Sequence, residues 1–459
     1  MSQPSCIDDA RPKGGVASVA AMTAAPSAQA GANAAPADAM AGTGGVAAEK
    51  LAVMGLLIPD FPGQTHVAMW RLGRAIGKRG VEVVPISTRR PEDTSGVHPF
   101  LLETAGQTFY AWPPSAGWVV RGLPSLLTRG WRAVGYAMGC QQSSLVRRLK
   151  RLPMVVLAAG LAARCRAAKM DFLLVHSCAE AAHLVAMSRL LGGPRYGLRL
   201  GGDLDVYGVD HASKMRDAEL LVPAAANNAQ EIRERVGIGD ERIITTWLGV
   251  DAARFGAVER EAPQPGGPVR LVTVARLNFT KGHRYALEAV KLLADRGVDV
   301  RYDVVGSGDH RETLEAQVAE LGFGDRVTFH GAQAEAGVMA ALAAADVFVL
   351  PSIGQGEASP VALCEAMGSG LPAVATVIGG TPQMIDDGVD GRLVPQEDGV
   401  AIADAVADLV SDPQRWLSVS AAARRRAMTR FDTAIVAERV VKAIERRLAG
   451  LPAEEVGDG

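Results

Sequence analysis

The sequence predicts an α/β fold made of two doubly wound parallel sheets that face a cleft. Short continuous apolar runs alternate with segments of helical spacing, and this series restarts after a linker. Short apolar runs of this kind are typical of parallel strands that are buried on both faces. Because ligands bind at the carboxyl ends of such strands, we expect a functional site in the cleft.

The composition is that of an ordinary globular chain. It has 459 residues, 48% hydrophobic and 21% charged, with a formal net charge of −2, and this balance gives no sign of a nucleic-acid partner. The five cysteines are scattered without CxxC spacing, which argues against a disulfide framework or a zinc site and favours a reducing cytosol. No apolar run has the length of a membrane-spanning helix.

Changes of composition along the chain predict the domain boundaries. Residues 1–50 are rich in Ala, Gly and Pro and are predicted to be a disordered tail, with a poor export signal as the alternative. The segment EREAPQPGGP combines prolines and glycines without apolar periodicity, which indicates a linker. The predicted parts are a first domain at 51–258, a linker at 259–267, a second domain at 268–430, a helix at 431–449 that could return to the first domain, and a tail at 450–459.

Two glutamates bracket the start of a predicted helix in EASPVALCEAMGSGLP, residues 357–372. Glu357 lies in the loop after the strand DVFVLPS, and Glu365 lies on the second helical turn. Ser359 suits the N-cap and Pro360 the first helical position. The helix amides would favour an anionic ligand, and the carboxylates could accept hydrogen bonds from sugar hydroxyls. Alternatively, both glutamates only complement the helix dipole.

Two more loops of the same half carry candidate ligand-binding residues. In VARLNFTKGH, Arg276 and Lys281 could neutralise a diphosphate, although a solvated basic loop is the alternative. In VVGSGDH, Gly306 and Gly308 would allow a ligand to approach the backbone, although a tight turn alone would also explain them.

In this order, these stretches resemble the retaining, GT-B-fold glycosyltransferases of the large bacterial family 4. The resemblance extends over roughly residues 51–449, and the block 357–394 after VARLNFTKGH is its most specific part. Within that family, the chain is most similar in character to transferases that build exopolysaccharide or lipid-linked repeat units. The resemblance implies two Rossmann-like domains and a nucleotide-sugar donor. Other matching segments are GQTHVAMWRLGRAIGKRG, LGVDAARF, VTFHGA, DVFVLPS and GGTPQMIDDGVDGRLVP.

The resemblance also implies a role for each matching residue. Arg276 and Lys281 match the pair that holds the donor diphosphate. Glu357 matches the first glutamate of the E-x7-E motif, which contacts the donor sugar, and Glu365 matches the second, which bonds the ribose. The other matching positions surround the donor: Gly63 in a loop beneath it, Gly306 and Gly308 near the nucleotide, and Ser359, Pro360 and Val361 at the helix start.

The chain departs from the family pattern at three positions. Ala358 stands where relatives often have glycine, and Gln383 stands where the acid of GG-x-PE is usual. Gly202 occupies the position at which many relatives carry a histidine. These departures bear on the clearance for the sugar and on the polar group near the reacting carbon.

Asp203 and Asp205 form a DxD sequence in GGDLDVYG, a spacing that binds Mn²⁺ or Mg²⁺ in a different glycosyltransferase fold. Because the two-domain pattern argues against that fold, we expect no metal site. We place Asp205 near the acceptor instead, together with His176 at the end of the strand DFLLVHS. A single histidine at a strand end is also commonly structural.

The region 104–170 contains no acidic residue. Basic residues, tryptophans and apolar runs alternate in it, a pattern typical of helices that lie on an anionic membrane surface. The alternative is a pair of solvated basic helices. Nucleic-acid binding has no recognisable module behind it.

The resulting hypothesis is a cytoplasmic enzyme, peripheral at the inner face of the cell membrane. It would move a hexose from a UDP-sugar or GDP-sugar to a lipid-linked or polysaccharide acceptor without a cofactor. Arg276, Lys281 and the helix-start amides would stabilise the departing diphosphate without a metal. Two alternatives stay open: a sugar-nucleotide epimerase on the same scaffold, and a non-catalytic nucleotide-sugar-binding protein, which Ala358, Gly202 and Gln383 make credible.

Overall fold

The computed structural model describes residues 50–63, 67–91, 103–354 and 357–453. Within these ranges the strands form two six-stranded sheets, and every neighbouring pair of strands is parallel. Helices connect the successive strands of both sheets, except between β2 and β3, where the described residues contain none. The predicted α/β class, with two doubly wound Rossmann-like halves, is confirmed.

The first sheet has the strand order β3-β2-β1-β4-β5-β6. Its strands are β1 Val53–Leu57, β2 Glu82–Arg89, β3 Phe109–Trp112, β4 Phe172–His176, β5 Arg195–Leu200 and β6 Leu220–Pro223. The α-helices of this half are Val67–Gly77, Ala116–Gly139, Leu145–Lys150, Leu152–Ala167, Glu180–Leu190, His211–Met215, Ala226–Val236 and Ala252–Phe255, and its 3₁₀ turns are Leu204–Tyr207 and Asp240–Arg242.

The second sheet has the order β12-β11-β10-β7-β8-β9. Starting from β9, this is the same order relative to the chain as in the first sheet. Its strands are β7 Val269–Val274, β8 Val300–Val305, β9 Val327–Gly331, β10 Val347–Leu350, β11 Ala373–Thr376 and β12 Arg392–Val394. The α-helices are His283–Asp295, Arg311–Leu321, Glu335–Ala344, Val361–Gly368, Thr381–Met384, Gly399–Val410, Pro413–Arg426 and Thr433–Leu448, with 3₁₀ turns at Phe279–Lys281 and Gly324–Arg326 and a π-helical turn at Ala427–Phe431.

The strand order places a topological switch point between β7 and β10. From β7 the chain winds outward through β8 and β9, and it then returns to pair β10 with the other side of β7. At such a point, the loops that follow the two central strands diverge and leave a crevice at their carboxyl ends. The loop after β7 carries Arg276 and Lys281, and the loop after β10 carries Glu357.

Helix Thr433–Leu448 packs on the first half of the molecule. Its buried apolar residues, such as Val440 and Ile444, join Trp70 and Ile76 of helix Val67–Gly77 in one hydrophobic cluster. The helix is amphipathic, and Asp432 caps its first turn by accepting a hydrogen bond from the Ala434 amide. The domain boundaries themselves stay predictions.

The predicted start of the helix after Glu357 is wrong by one residue. The helix runs from Val361 to Gly368, Pro360 is its N-cap, and Ser359 makes no capping hydrogen bond. Proline at this position has the extended backbone that an N-cap requires, with ψ of 111°, so the serine side chain is left for another partner.

Within the described residues, no helix combines the length and the apolar character that crossing a bilayer requires.

Candidate functional site

The loops after β7 and β10 are in direct contact at the switch point. The amide of Ile353 donates to the carbonyl oxygen of Thr280 at 2.8 Å. Gly282 has φ of +61°, and a Cβ at this residue would lie 1.9 Å from the carbonyl oxygen of Pro351. Only glycine fits so close to the neighbouring backbone in that conformation. The two loops therefore form one surface that carries all three predicted catalytic residues.

Lys281 and Glu357 form an ion pair across this surface. The Nζ of Lys281 donates to Oε1 of Glu357, and the Oγ of Ser352 donates to the same oxygen at 2.9 Å. Glu357 is only 6% exposed, whereas the Lys281 side chain is 21% exposed. A nearly buried carboxylate is thus held by one cation and one hydroxyl at the edge of the crevice.

Arg276 sits on the same loop with its side chain exposed. Its carbonyl oxygen lies 3.1 Å from Nε2 of His283, a buried ring that fixes the backbone at this point. Burial lowers the pKa of His283 to about 4, so the ring is neutral near pH 7 and donates from Nε2. Arg276 therefore presents an exposed side chain from a fixed backbone.

Gly306 and Gly308 let the loop after β8 pack against the Arg276 loop. A Cβ at Gly306, whose φ is +148°, would lie 1.8 Å from the Ala275 carbonyl oxygen, and one at Gly308 would lie 2.1 Å from that of Leu277. The His310 amide also donates to the Leu277 carbonyl oxygen at 3.0 Å. These contacts give both glycines a packing role, and their predicted closeness to a nucleotide stays a prediction.

Glu365 is nearly buried and pairs with an arginine of the first half. Arg71 Nη1 donates to Oε1 of Glu365 at 2.9 Å, and Arg71 Nη2 lies 3.1 Å from Oε2 of Glu335. Arg254 Nη1 lies 2.5 Å from the other oxygen of Glu335. Burial raises the pKa of Glu365 above its ordinary value, and the charge of Arg71 opposes the rise.

The start of helix Val361–Gly368 is tied to its surroundings on both sides. Ser359 Oγ accepts a hydrogen bond from the Leu248 amide at 2.9 Å. The Gly380 amide donates to the carbonyl oxygen of Glu357 at 2.9 Å. The backbone that carries Glu357 is therefore fixed by neighbours distant in sequence.

The structure shows the surroundings of all three departures from the family pattern. Ala358 is buried, and its carbonyl oxygen would lie 2.0 Å from a Cβ at Gly380, so it is position 380 that requires a glycine. Gln383 Oε1 accepts a hydrogen bond from the amide of Ala226 at the start of helix Ala226–Val236. At Gly202, a Cβ would lie 3.3 Å from Val206 Cγ2, which leaves little room for a larger residue.

The residues predicted nearer the acceptor lie in the first half. Asp205 is exposed and pairs with Arg235 at 2.8 Å, whereas Asp203 accepts a hydrogen bond from Asn228 at 2.7 Å. His176 is the half-buried last residue of β4, and its ring would lie 3.8 Å from a Cβ at Gly201.

Gly63 is half-buried at the end of the first described stretch, in the loop after β1. Loops after β1 and after β4 leave the same edge of the first sheet, so Gly63 and His176 share that edge.

Sequence reasoning missed Arg71 and Ser352. Ser352 lay within the recognised strand DVFVLPS, but a serine at a strand end carries no signal of its own. Arg71 stands between the buried residues Trp70 and Leu72 of helix Val67–Gly77. A cation between core residues indicates a buried partner, but nothing in the sequence identifies Glu365, which is 294 positions away, as that partner.

Comparison with known proteins agrees with this fold. The fold is that of GT-B glycosyltransferases: the crystal structure of Anabaena Alr3699/HepE in complex with UDP superposes with a TM-score of 0.64 at 17% identity, covering 85% of this chain and 99% of that one. Residues 257–426 match the family described as Glycosyl transferases group 1. This segment contains Arg276, Lys281, Glu357 and Glu365.

Two curated relatives are named for the biosynthesis of colanic acid and of amylovoran. A Salmonella typhimurium protein named as a candidate colanic acid biosynthesis glycosyltransferase, WcaL, is 34% identical over 253 residues, which are 54% of this chain and 60% of that protein. The amylovoran biosynthesis glycosyltransferase AmsK of Erwinia amylovora is 29% identical over 320 residues, covering 67% of this chain and 75% of that protein. The chain thus spans less than two thirds of the length of the Salmonella relative.

Proposed function

We propose that this protein is a retaining glycosyltransferase of the family 4 type that moves a hexose from a nucleotide diphosphate sugar to a lipid-linked or polysaccharide acceptor. The observation that carries the proposal is the ion pair of Lys281 and Glu357 at the switch point of the second sheet. It brings a cation suited to a diphosphate next to a carboxylate suited to sugar hydroxyls. UDP in the Anabaena structure supports a nucleotide-sugar donor, and we propose that the donor is a UDP-sugar or a GDP-sugar.

Donor binding would redistribute the partners of Lys281. The two phosphates of the donor carry more negative charge than the single carboxylate of Glu357, so they compete for Lys281 and recruit the exposed guanidinium of Arg276. Glu357 keeps the hydroxyl of Ser352, which lies 2.9 Å away, as a donor. The oxygen that Lys281 releases can then accept hydrogen bonds from hydroxyls of the transferred sugar.

The same residues would favour bond cleavage. The bond between the anomeric carbon and the diphosphate oxygen breaks, and its electron pair stays on the diphosphate. Arg276 and Lys281 stabilise that growing negative charge, while the carboxylate of Glu357 favours the positive charge on the sugar. The acceptor hydroxyl attacks from the same face and gives its proton to the leaving phosphate oxygen, so configuration is retained. In this proposal, Arg276 and Lys281 stabilise the negative charge of the departing diphosphate without a metal.

Relatives support an acceptor in surface-glycan synthesis. The Salmonella and Erwinia proteins are named for colanic acid and amylovoran biosynthesis. A Mycolicibacterium smegmatis relative, 33% identical over 198 residues, is named as a mannosyltransferase that acts on phosphatidylinositol monomannoside. We therefore propose a glycan acceptor on a lipid or on a growing polysaccharide, with Asp205 and His176 on the acceptor side.

An exposed apolar stripe supports a peripheral position at the inner face of the cell membrane. On helix Ala116–Gly139, exposed apolar side chains recur at intervals of three or four residues, so they share one face of the helix. Leu127 is 86% exposed and Trp131 is 73% exposed. Arginines on the same helix suit anionic headgroups. The stripe consists of Val120, Leu123, Leu127, Trp131 and Val134.

The test of the donor is a thermal-shift screen of UDP-, GDP- and ADP-sugars, followed by turnover with the best of them. We expect one nucleotide sugar to raise the melting temperature and then to release its nucleoside diphosphate when an acceptor glycan is supplied. Failure of all three to bind would contradict the proposal. A changed sugar on the intact nucleotide would instead identify the epimerase, and binding without any conversion would identify the non-catalytic binding protein.

A further inference from the structure

Arg71 bridges two carboxylates that belong to the other half of the molecule. It lies on helix Val67–Gly77 beside the first sheet, whereas Glu365 and Glu335 lie on helices beside the second sheet. Its two terminal nitrogens are 2.9 Å from Glu365 Oε1 and 3.1 Å from Glu335 Oε2. One guanidinium therefore joins the two halves at the glutamate that is predicted to bind the donor's ribose.

The contact excludes most water. The side chains of Arg71 and Glu365 are each 11% exposed, and the Arg71 guanidinium lies 5.9 Å from the centre of the Phe255 ring. Burial lowers the pKa of Arg71, but the charges of Glu365 and Glu335 outweigh burial and raise that pKa above its ordinary value. Arg71 is therefore a permanent cation at this position.

Burial and two neighbouring charged groups shift the pKa of Glu365. Burial raises its pKa, Arg71 opposes the rise, and the like charge of Glu335 adds to it. Arg254 reaches Glu365 only indirectly, by pairing with Glu335 at 2.5 Å. The neighbouring thiol of Cys364 is fully buried. Of these groups, Arg71 is the cation in direct contact with Glu365, so it does most to keep the carboxylate charged.

The geometry leaves one oxygen of Glu365 for a ligand. Oε1 accepts from Arg71, and among the described residues no hydrogen bond to Oε2 is found. A charged carboxylate accepts at both oxygens, whereas a protonated one has a donor on one of them. Ribose hydroxyls are recognised best by the charged form, because hydrogen bonds to a charged group are the stronger kind.

We propose that Arg71 is a positioning residue that orients the Glu365 carboxylate for the ribose hydroxyls of the donor. This inference rests on the proposed function, in which Glu365 binds that ribose. It makes recognition of the ribose dependent on the first half of the molecule, although the donor's diphosphate is held by the second. Donor binding and the contact between the halves then strengthen each other.

The test is calorimetric titration of the full chain with UDP, GDP and ADP, each beside its 2′,3′-dideoxy counterpart. For the diphosphate that binds the wild type, we expect the dideoxy form to bind at least about tenfold more weakly. In Arg71→Met the two forms should bind with affinities within about twofold of each other, because the recognition of hydroxyls is lost. Arg79→Met is the matched control, since Arg79 follows the same helix but pairs with Glu438, and it should keep the wild-type ratio.

The pH dependence separates positioning from a merely structural role. Glu365 binds hydroxyls in its charged form, so affinity rises with pH through its pKa. Removing Arg71 raises that pKa further, so in Arg71→Met the rise should move to higher pH. Arg71→Lys keeps the charge and should restore the wild-type pH profile and part of the hydroxyl preference.

Each outcome decides the inference. An Arg71→Met variant that keeps the wild-type preference for ribose would overturn it. If Arg71→Met does not fold, Arg71→Lys decides: a reduced preference supports the inference, and an unchanged one overturns it. If the wild type binds none of the three diphosphates, the proposed function fails first. If the wild type binds one but does not prefer ribose over the dideoxy form, the inference alone fails.

Discussion

The Nζ of Lys281 donates a hydrogen bond to Oε1 of Glu357 across the crevice between β7 and β10. The two residues come from loops after neighbouring parallel strands, 76 positions apart in the chain. In a doubly wound sheet this is the crevice that binds ligands. The strand order of the sheet therefore brings together the cation and the carboxylate of the proposed reaction.

Lys281→Met is expected to weaken the binding of the nucleoside diphosphate by about 10- to 100-fold. A charge-assisted hydrogen bond to a phosphate is worth about 1.5–3 kcal/mol, and the methionine keeps the length of the side chain without its charge. Calorimetric titration measures the change. Lys291→Met is the control, because Lys291 pairs with Asp295 on the surface of a neighbouring helix. Equal affinities in both variants would contradict the role of Lys281.

Gly308→Ala is expected to lower the free energy of unfolding by about 1–3 kcal/mol and to weaken nucleotide binding. The added Cβ would lie 2.1 Å from the carbonyl oxygen of Leu277, so the backbone beside Arg276 must move. Denaturant unfolding measures the first effect. Gly324→Ala is the control, since the atom nearest to its new Cβ is 3.9 Å away. If Gly308→Ala and Gly324→Ala have the same free energy of unfolding, the close packing of these loops does not explain the glycine at position 308.

His183 is expected to make the fold less stable in mild acid. Burial, with the positive charge of Arg151, lowers its pKa to about 3, while an unfolded histidine titrates near 6.5. Between these values the unfolded chain binds more protons, so stability is full above pH 6.5 and falls as the pH drops towards 3. His183→Asn should reduce the slope of unfolding free energy against pH by up to about 1.4 kcal/mol per pH unit.

Tyr136→Phe is the control for this titration. The tyrosine hydroxyl lies 2.8 Å from Nδ1 of His183, so the variant removes the hydrogen bond but keeps the buried ring that titrates. Its stability should fall at all pH values, with the acid slope largely retained. An unchanged slope in His183→Asn would show that other groups, such as the carboxylates around Arg151, cause the acid sensitivity.

The apolar stripe is expected to bind anionic membranes. The wild type should float with vesicles that contain phosphatidylglycerol, and less so at high salt, because screening weakens the attraction of the arginines. The double variant Leu127→Ser/Trp131→Ser should lose at least about tenfold in affinity, because burying each side chain is worth about 1.5–3 kcal/mol. Flotation with and without the anionic lipid measures this.

A control for the stripe exists in the other half. Val400 and Leu417 are also exposed apolar residues, on helices Gly399–Val410 and Pro413–Arg426. Val400→Ser/Leu417→Ser should therefore float like the wild type. If the wild type ignores anionic vesicles, residues 116–139 form a solvated helix and the proposed position at the membrane is wrong.

The sequence predicted the fold well because the signal of buried parallel strands is local. Runs such as DVFVLPS are apolar at every core position, and β10 is buried at all four of its residues. The loops after such runs can be located at the same time. Arg276, Lys281 and Glu357 could therefore be assigned from the sequence alone to the edge of the sheet at which its strands end. Their meeting follows from the strand order, which the local pattern does not contain.

Contacts between distant segments could not be predicted in this way. Ser359 looked like an N-cap, but its hydroxyl accepts from Leu248, 111 positions away, and proline takes the cap. The pairing of Glu365 with an arginine of the first half could not be predicted either, because the placement of whole sheets determines which side chains meet across the two halves. Neither pairing leaves a periodic signal in the sequence.

The role of Glu357 is tested most sharply by the rate at which Glu357→Gln releases nucleoside diphosphate from the best nucleotide sugar, compared with the wild type. Glutamine keeps the shape of the side chain but not its charge, so we expect a rate at least about 100-fold lower, equivalent to about 2.7 kcal/mol of transition-state stabilisation, with folding and binding of the free diphosphate preserved. If a folded Glu357→Gln protein releases the diphosphate at the wild-type rate, the carboxylate of Glu357 has no part in sugar transfer.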